Sequence, residues 1–355
     1  MQILHRYGWD DEWAQVHRST GIDMPVGRIT GQYGRFLKCL TDKGEILTEV
    51  SGRLSYICES SEGLPVTGDW VLVMMQEGTD TGLIYDVLPR KTCIARRRSR
   101  SFHETQLLAA NVDSLCIVSA LDETLNLNRI ERYMLFAMEG RVVPFLLFNK
   151  MDLCKNLIEV KGNIEKRFPD LPVQYLSCSS GSGLLELKDI LLPQHTYAFV
   201  GPSGVGKSTI INFLLGEEKQ KTAAVRTADH KGRHITSSRE LFLTPDGVIL
   251  MDTPGLRELA LTGEESVLDE VHMAIAAASK NCRFSDCTHT VEQGCAVLEG
   301  VARGDIPSEQ YESYLKMRKE LQHLKRKEEQ AGSFNPKKRW KSISKEIKRV
   351  KNRKK

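Results

Sequence analysis

From Val26 to Leu88 the chain alternates short apolar runs with turn residues. GRIT, RFLKCL, EILTEV, LSYICE, DWVLVMM and GLIYDVL are punctuated by Gly31, Gly34, Gly44, Gly52, Gly63, Gly68, Gly78 and Gly82. Such runs predict strands, and five or six of them in about 65 residues predict a small antiparallel barrel of the OB type. Past the linker RKTCIARRRSR the rhythm changes. SLCIVSA, VVPFLLFNK, QYLSCSS, YAFVGPSG and GVILMDTPG are apolar strand-like runs, with a helix expected around Asn128 to Glu139. Strands alternating with helices predict a mostly parallel α/β domain. After Leu261 strand signals stop: VLDEVHMAIAAAS reads as helix, a Cys/His cluster follows, and a charged helical stretch runs from about Ser308 to Gln330. The expected organisation is an N-terminal extension (1–25), an OB-like barrel (26–95), a central α/β domain (96–262), a mainly helical metal-binding domain (263–335) and a basic tail (336–355).

Composition narrows the class. At 355 residues, 41% apolar and 27% charged, the chain exceeds a single hydrophobic core and has the make-up of a soluble globular protein. The start, MQILHRYGWDDEWAQ, lacks a basic flank followed by an apolar core, and no run approaches the roughly 18 apolar residues of a membrane span. A cytoplasmic protein without a membrane partner is expected. The nine cysteines are an odd number, and Cys39, Cys58, Cys93, Cys116, Cys154 and Cys178 are scattered, mostly within apolar runs, so they read as reduced thiols. The net charge of +4 hides an asymmetry, because Lys337 to Lys355 holds eleven Lys/Arg against one Glu, leaving about −6 for the rest. Arg90 to Arg100 adds six basic residues and no acidic one. Two basic clusters favour a polyanionic partner.

The chemistry lies in three short motifs. Gly201-Pro202-Ser203-Gly204-Val205-Gly206-Lys207-Ser208-Thr209 follows the strand YAFV and opens the helix-like TIINFLL, the context of a phosphate-binding loop. Its backbone N–H groups can close on phosphate oxygens, Lys207 can reach the β- and γ-phosphates, and Ser208 can ligate Mg²⁺. Asp252-Thr253-Pro254-Gly255 follows the strand GVILM, where Asp252 can hold Mg²⁺ through water and the Gly255 N–H can meet a γ-phosphate. Asn149-Lys150-Met151-Asp152 ends the strand PFLLF. There Asp152 can accept from guanine N1–H and the 2-amino group while Lys150 covers the ring, a donor pair adenine lacks. Ser177 and Cys178 lie where a backbone N–H could meet guanine O6. Neither a P-loop kinase nor an ABC-type ATPase needs NKxD, so GTP and GDP are the expected nucleotides. Because Asn149 precedes Gly201, the domain is circularly permuted.

Between the phosphate loop and DTPG runs KGRHITSSREL. Thr236 is the candidate switch threonine, with Thr222 and Thr227 competing for that role. Leu256 stands where Ras-type enzymes carry a water-orienting Gln, so intrinsic hydrolysis is expected to be slow, with His234 the candidate for the missing water contact. Cys282, Cys287, His289 and Cys295 form C-x4-C-x-H-x5-C, the closed ligand set of one structural Zn²⁺. His272 and His323 are expected to face solvent.

The barrel, NKMD ahead of GPSGVGKST, the GRH-containing switch, DTPG and the Cys₃His cluster together resemble the ribosome small-subunit-dependent GTPase A family, over roughly Val26 to Lys341. The family's switch reads GRHTTT where this chain has GRHITS from Gly232 to Ser237. The resemblance implies a circularly permuted GTPase, flanked by an OB and a zinc domain, that acts late in assembly of the small ribosomal subunit and contacts its rRNA. A monomer is expected. The competing expectation is an RNA-binding module that senses nucleotide without turning it over.

Overall fold

The computed structural model describes residues 1–58, 63–76, 78–97, 105–216, 239–252 and 265–332. Five strands close the N-terminal barrel: β1 (Val26–Tyr33), β2 (Phe36–Thr41), β3 (Gly44–Val50), β4 (Trp70–Met75) and β5 (Thr81–Val87). They pair in the order β1-β2-β3-β5-β4, and β4 returns to β1. Strand alternation sorts the side chains. Ile29, Cys39, Ile46, Val71, Val73 and Ile84 form one apolar cluster, while Val26, Leu40, Trp70 and Leu72 point to a second. That second cluster is covered by α1 (Gln2–Arg6) and α2 (Asp11–Ser19), and Trp9 and Trp13 lie 4.8 and 6.1 Å from Trp70 between ring centroids. Asp10 starts α2 by accepting from the Trp13 N–H at 2.8 Å, a capping contact within the segment expected only as an extension.

LSYICE is not a strand. Gly52–Ile57 forms the helix α3, capped by Ser51, whose hydroxyl accepts from the Leu54 N–H at 3.2 Å. Leu54 is buried while Tyr56 and Ile57 are exposed. The parallel pairing of β3 with β5 accounts for it, since parallel neighbours need a crossover and α3 begins the one used here. The basic linker is likewise structured in part: β6 (Cys93–Arg97) and β7 (Thr105–Ala110) form an antiparallel pair.

Five parallel strands follow, β8 (Ser114–Ala120), β9 (Val143–Asn149), β10 (Val173–Tyr175), β11 (Thr196–Val200) and, after the antiparallel β12 (Glu240–Leu243), β13 (Ile249–Asp252). Their order is β10-β9-β8-β11-β13-β12. Helices cover both faces. Leu115 and Ile117 of β8 point to the side of α4 (Leu127–Glu139) and α5 (Leu157–Arg167), Cys116 and Val118 to that of α6 (Leu184–Ile190) and α7 (Lys207–Leu215). The α4 face continues into the C-terminal helices α8 (Glu265–Val271), α9 (Met273–Ser279), α10 (Ala296–Arg303) and α11 (Ser308–Gly332) as one apolar cluster. Among the described residues no helix is long and apolar enough to cross a membrane.

Two seams join these parts. At the first, β1 pairs with β12 through Gly31 and Glu240, so barrel and α/β strands form one eleven-stranded sheet. Arg28 is buried there. It donates to the Tyr7 carbonyl, to the Asn111 carbonyl at 3.1 Å and to Thr196 Oγ1 at 2.8 Å, and burial lowers its pKa to about 10, which leaves it charged at neutral pH. Beside it the buried Asp69 carboxylate takes both Arg90 Nε and Nη2 at 2.7 Å. At the second seam Glu131 of α4, fully buried, accepts from Arg167 Nε at 2.8 Å and from Ser313 of α11 at 2.7 Å.

His272 corrects an expectation. It is fully buried, edge-on to Tyr314 at 5.5 Å, with Nδ1 3.8 Å from Glu131, and burial followed by the Arg167 charge lowers its pKa to about 3. The reason is helical spacing: it lies one turn beyond the buried Leu268 and one turn before the similarly buried Ile275. His323 is exposed, as expected.

Replacing Arg28 with Leu removes the donors from two buried acceptors and a hydroxyl. The variant should lose on the order of 2–4 kcal/mol of stability, measurable by denaturant titration of tryptophan fluorescence because the guanidinium lies 5.3 Å from the Trp70 ring.

Candidate nucleotide site and zinc-type cluster

The buried strand β11 delivers the chain to Gly201 at the C-terminal end of the sheet, between β8 and β13. Gly201 has φ +147°, and a Cβ there would lie 2.2 Å from the Val118 carbonyl oxygen. Only glycine lets the loop turn so close to β8. Val205 is buried and pins the loop's far side, with Pro202 half-buried and Ser203, Gly204 exposed on the rim. Gly206 precedes α7 at φ +101°, so Lys207, Ser208 and Thr209 form the helix's first turn, whose N–H groups point toward the loop. Lys207 Nζ donates to the carbonyls of Gly201 at 2.8 Å and Pro202 at 2.6 Å, holding its ammonium across the loop mouth.

Three loops from three strand ends meet at Asn149. It closes β9, is 2% exposed, and its Nδ2 donates to the Val205 carbonyl at 2.7 Å while its Oδ1 accepts from the Cys178 N–H at 3.0 Å. The phosphate loop, NKMD and the Ser177–Cys178 loop are thereby fixed relative to one another. A Cβ on Gly206 would lie 2.2 Å from Asn149 Nδ2, which makes glycine obligatory at that second point. Lys150 follows in left-handed conformation, φ +62°, and pairs with Asp122 at 3.0 Å. Met151 begins a 3-10 turn and donates its N–H to the Leu176 carbonyl at 3.2 Å.

Asp152 is exposed on that turn. Its Oδ1 accepts from Ser177 Oγ at 2.5 Å and its Oδ2 from Ser179 Oγ at 2.9 Å. These hydroxyls hold the carboxyl below its usual range, so it stands at neutral pH as an edge of two acceptors. Such an edge matches the paired donors of guanine. Ser177 and Cys178 need a correction in one respect: the Ser177 N–H donates to the Ser182 carbonyl at 2.9 Å and the Cys178 N–H to Asn149, so neither is directed at a base in this structure. Asp252 ends β13, beside the strand that carries the phosphate loop. Gly255, Leu256, His234, Thr236, Thr222 and Thr227 lie outside the described residues.

Far from this site, Cys282, Cys287, His289 and Cys295 gather with all four ligand atoms within 4.8 Å of one another. Cys282 and Cys295 Sγ are 3.8 Å apart, and His289 Nδ1 is 3.6 and 3.5 Å from them. A tetrahedron with arms of about 2.3 Å has edges of about 3.8 Å, so the four ligand atoms fit one zinc ion. Tyr311 supports the cluster by donating to the His289 carbonyl at 2.7 Å.

The comparisons agree with this geometry. A family model described as RsgA GTPase matches residues 87–262, and one described as 50S ribosome-binding GTPase matches residues 196–330. The small ribosomal subunit biogenesis GTPase RsgA of Methanosarcina acetivorans is 37% identical over 96% of this chain and 92% of its own length. The chain belongs to the RsgA GTPase family. The protein of the same name from Opitutus terrae is 36% identical over 96% of this chain and 95% of its own. In fold, the chain resembles YjeQ from Thermotoga maritima (TM-score 0.63, 24% identity, 84% of this chain and 98% of that one). It also resembles YloQ, described as a circularly permuted GTPase (TM-score 0.61, 21% identity, 84% and 96%). As a member of the RsgA GTPase family the chain is a GTP hydrolase, which implies a guanine nucleotide and usually Mg²⁺. The second match begins at the first residue of β11 and so leaves out Asn149–Asp152, as the permutation requires.

Gly206→Ala would force a side chain onto Asn149 at a strained φ, and the loops must separate to admit it. A strain of roughly 1–3 kcal/mol corresponds to a loss of about 5- to 150-fold in GDP affinity, to be read by titration with a fluorescent GDP analogue.

Proposed function

We propose that the chain is a GTP-hydrolysing factor that binds the small ribosomal subunit, assists its late maturation and is stimulated by it. The observation that carries the reading is the Asn149-centred convergence of phosphate loop and guanine motif in a chain whose relatives are named for small-subunit biogenesis. In this reading Gly201 to Gly206 wrap the phosphates with N–H groups, and Lys207 leaves its carbonyl partners for the β- and γ-phosphates. Thr209 adds its place in the first turn of α7, Ser208 and Asp252 hold Mg²⁺, and the Gly255 N–H meets the γ-phosphate. Asp152 reads the guanine edge, Lys150 and Met151 border the base, and Ser177 and Cys178 supply the wall opposite.

Thr236 closes on the metal and γ-phosphate, and His234 orients the attacking water in place of the absent Gln. The four ligands Cys282, Cys287, His289 and Cys295 hold one zinc that staples the C-terminal domain, with no position left open for chemistry. The partner is rRNA of the small subunit, met by the barrel, by basic residues at Arg90 to Arg100 and Lys337 to Lys355, and by the zinc domain. The protein acts as a monomer in the cytoplasm, with domain limits at about residues 25, 95, 262 and 335.

Metal analysis of undisturbed protein should find about one zinc per chain. Cys287→Ala should lower the melting temperature of the C-terminal region while leaving GDP affinity within about twofold; zinc-free, fully stable protein would remove the staple.

Purified small subunits should raise GTP turnover by on the order of 10²–10⁴ over the free enzyme. Association should depend on a GTP analogue and weaken with salt. Subunits that neither bind nor accelerate hydrolysis would leave the GTPase assignment standing and defeat the ribosomal one.

A further inference from the structure

We propose that Asp122 is a positioning residue for the nucleotide base, holding Lys150 in the pose in which its stem flanks the purine. This rests on the reading of Asn149–Asp152 as the guanine motif. Lys150 leaves the end of β9 in a fixed, left-handed backbone conformation, but its four-carbon stem is rotationally free unless something holds the ammonium. Asp122 supplies that hold from the neighbouring strand. Ala120, the last residue of β8, stands opposite Asn149, and the Leu121 N–H donates to the Asn149 carbonyl at 2.8 Å, so the residue after them is brought beside Lys150 by sheet register.

The carboxylate is itself fixed before the lysine reaches it. Oδ1 accepts from both the Thr124 N–H at 2.9 Å and Thr124 Oγ1 at 2.5 Å, which leaves Oδ2 for Lys150 Nζ at 3.0 Å. Thr124, and then Lys150, keep the group ionised well below the ordinary carboxylate range. Only one side chain is therefore ordered when the pair forms. With its Cα beside Asn149 and its ammonium at Asp122, the methylenes of Lys150 must span the gap between, bordering the turn that carries Asp152. A base held by Asp152 then meets a stem already ordered, and part of the entropy otherwise lost on binding is removed beforehand. No sequence motif announces the pair, because Asp122 lies 28 positions before Lys150.

A surface ion pair that merely steadies the loop would affect the unliganded protein. A positioning role affects the base whatever its 2-substituent. The test uses the full chain and compares binding of GDP with that of IDP, which lacks the 2-amino group, together with steady-state GTP hydrolysis. Asp122→Asn should weaken GDP and IDP by the same factor, about 3- to 10-fold. It should raise KM for GTP by that factor with kcat within about twofold. Thr124→Val, which keeps the charge but loosens the carboxylate, should move both affinities in the same direction by less, and it decides the matter if Asp122→Asn lowers the melting temperature of the unliganded protein. Unchanged affinities in Thr124→Val and a folded Asp122→Asn, or a loss confined to kcat, would overturn the proposal. Wild-type protein that binds GDP no more tightly than IDP would instead defeat the guanine-edge role of Asp152, and the Asp122→Asn comparison would still stand.

Discussion

The nucleotide site depends on one buried carboxamide. Asn149 donates to the phosphate loop at Val205 and accepts from the Cys178 N–H, so a single rigid group sets the distance between three loops. Both of its contacts are to backbone, and both are made out of water, where an unpaired amide would be costly to leave. Gly206 is tied to the same requirement, since the amide occupies the volume a Cβ would need. The loops belong to β9, to the segment after β10 and to β11, and they meet because the sheet brings the strand ends together. Chain order does not enter. That is why a circular permutation can preserve the site: it alters which strands are covalently joined and leaves their adjacency untouched.

Permutation does alter what each moving part is attached to. The strand β12 follows the GRH-containing segment directly, and it hydrogen-bonds both β13, which ends at Asp252, and β1 of the barrel. Beyond DTPG the chain enters α8, which packs with α4 and α11. Each segment that borders the γ-phosphate in the GTPase reading is thus continuous with a different flanking domain. A shift of either segment has a short mechanical route outward, and a partner gripping either domain has the same route inward.

Motifs with a local spacing were legible in the sequence. The phosphate loop, NKMD and the Cys₃His cluster each lie within fourteen residues or fewer, and their flanking apolar runs identified the strands that carry them. The barrel was legible from period-2 runs between glycines. LSYICE misled because a short apolar run fits helix and strand alike, and the deciding factor was the crossover demanded by a parallel β3–β5 pair. His272 was misplaced by residue type, though its spacing from Leu268 marks the buried face. Tertiary polar contacts had no signal at all: Arg28 with Thr196 and Lys150 with Asp122 join residues far apart in the chain. The N-terminal helices were missed for a similar reason, as their packing surface is the Trp70 side of a barrel that comes later.

The two seams share a physical design. Each buries charge among fully partnered groups, Arg28 with carbonyls and a hydroxyl beside the Asp69–Arg90 pair, and Glu131 with Arg167 and Ser313. Apolar packing would hold the domains together at least as well, because desolvating ions offsets much of their attraction. What apolar surfaces lack is directional preference: a sliding displacement changes buried area little, whereas a displacement of about 1 Å breaks hydrogen bonds whose loss strands a charge. Arg28 reaches Thr196, the first residue of the strand that ends in the phosphate loop, and Glu131 lies on the helix between β8 and β9, the strands that lead to Asp122 and Asn149. The buried ions therefore act less as a source of stability than as a register, keeping each flanking domain aligned with the strands that build the site.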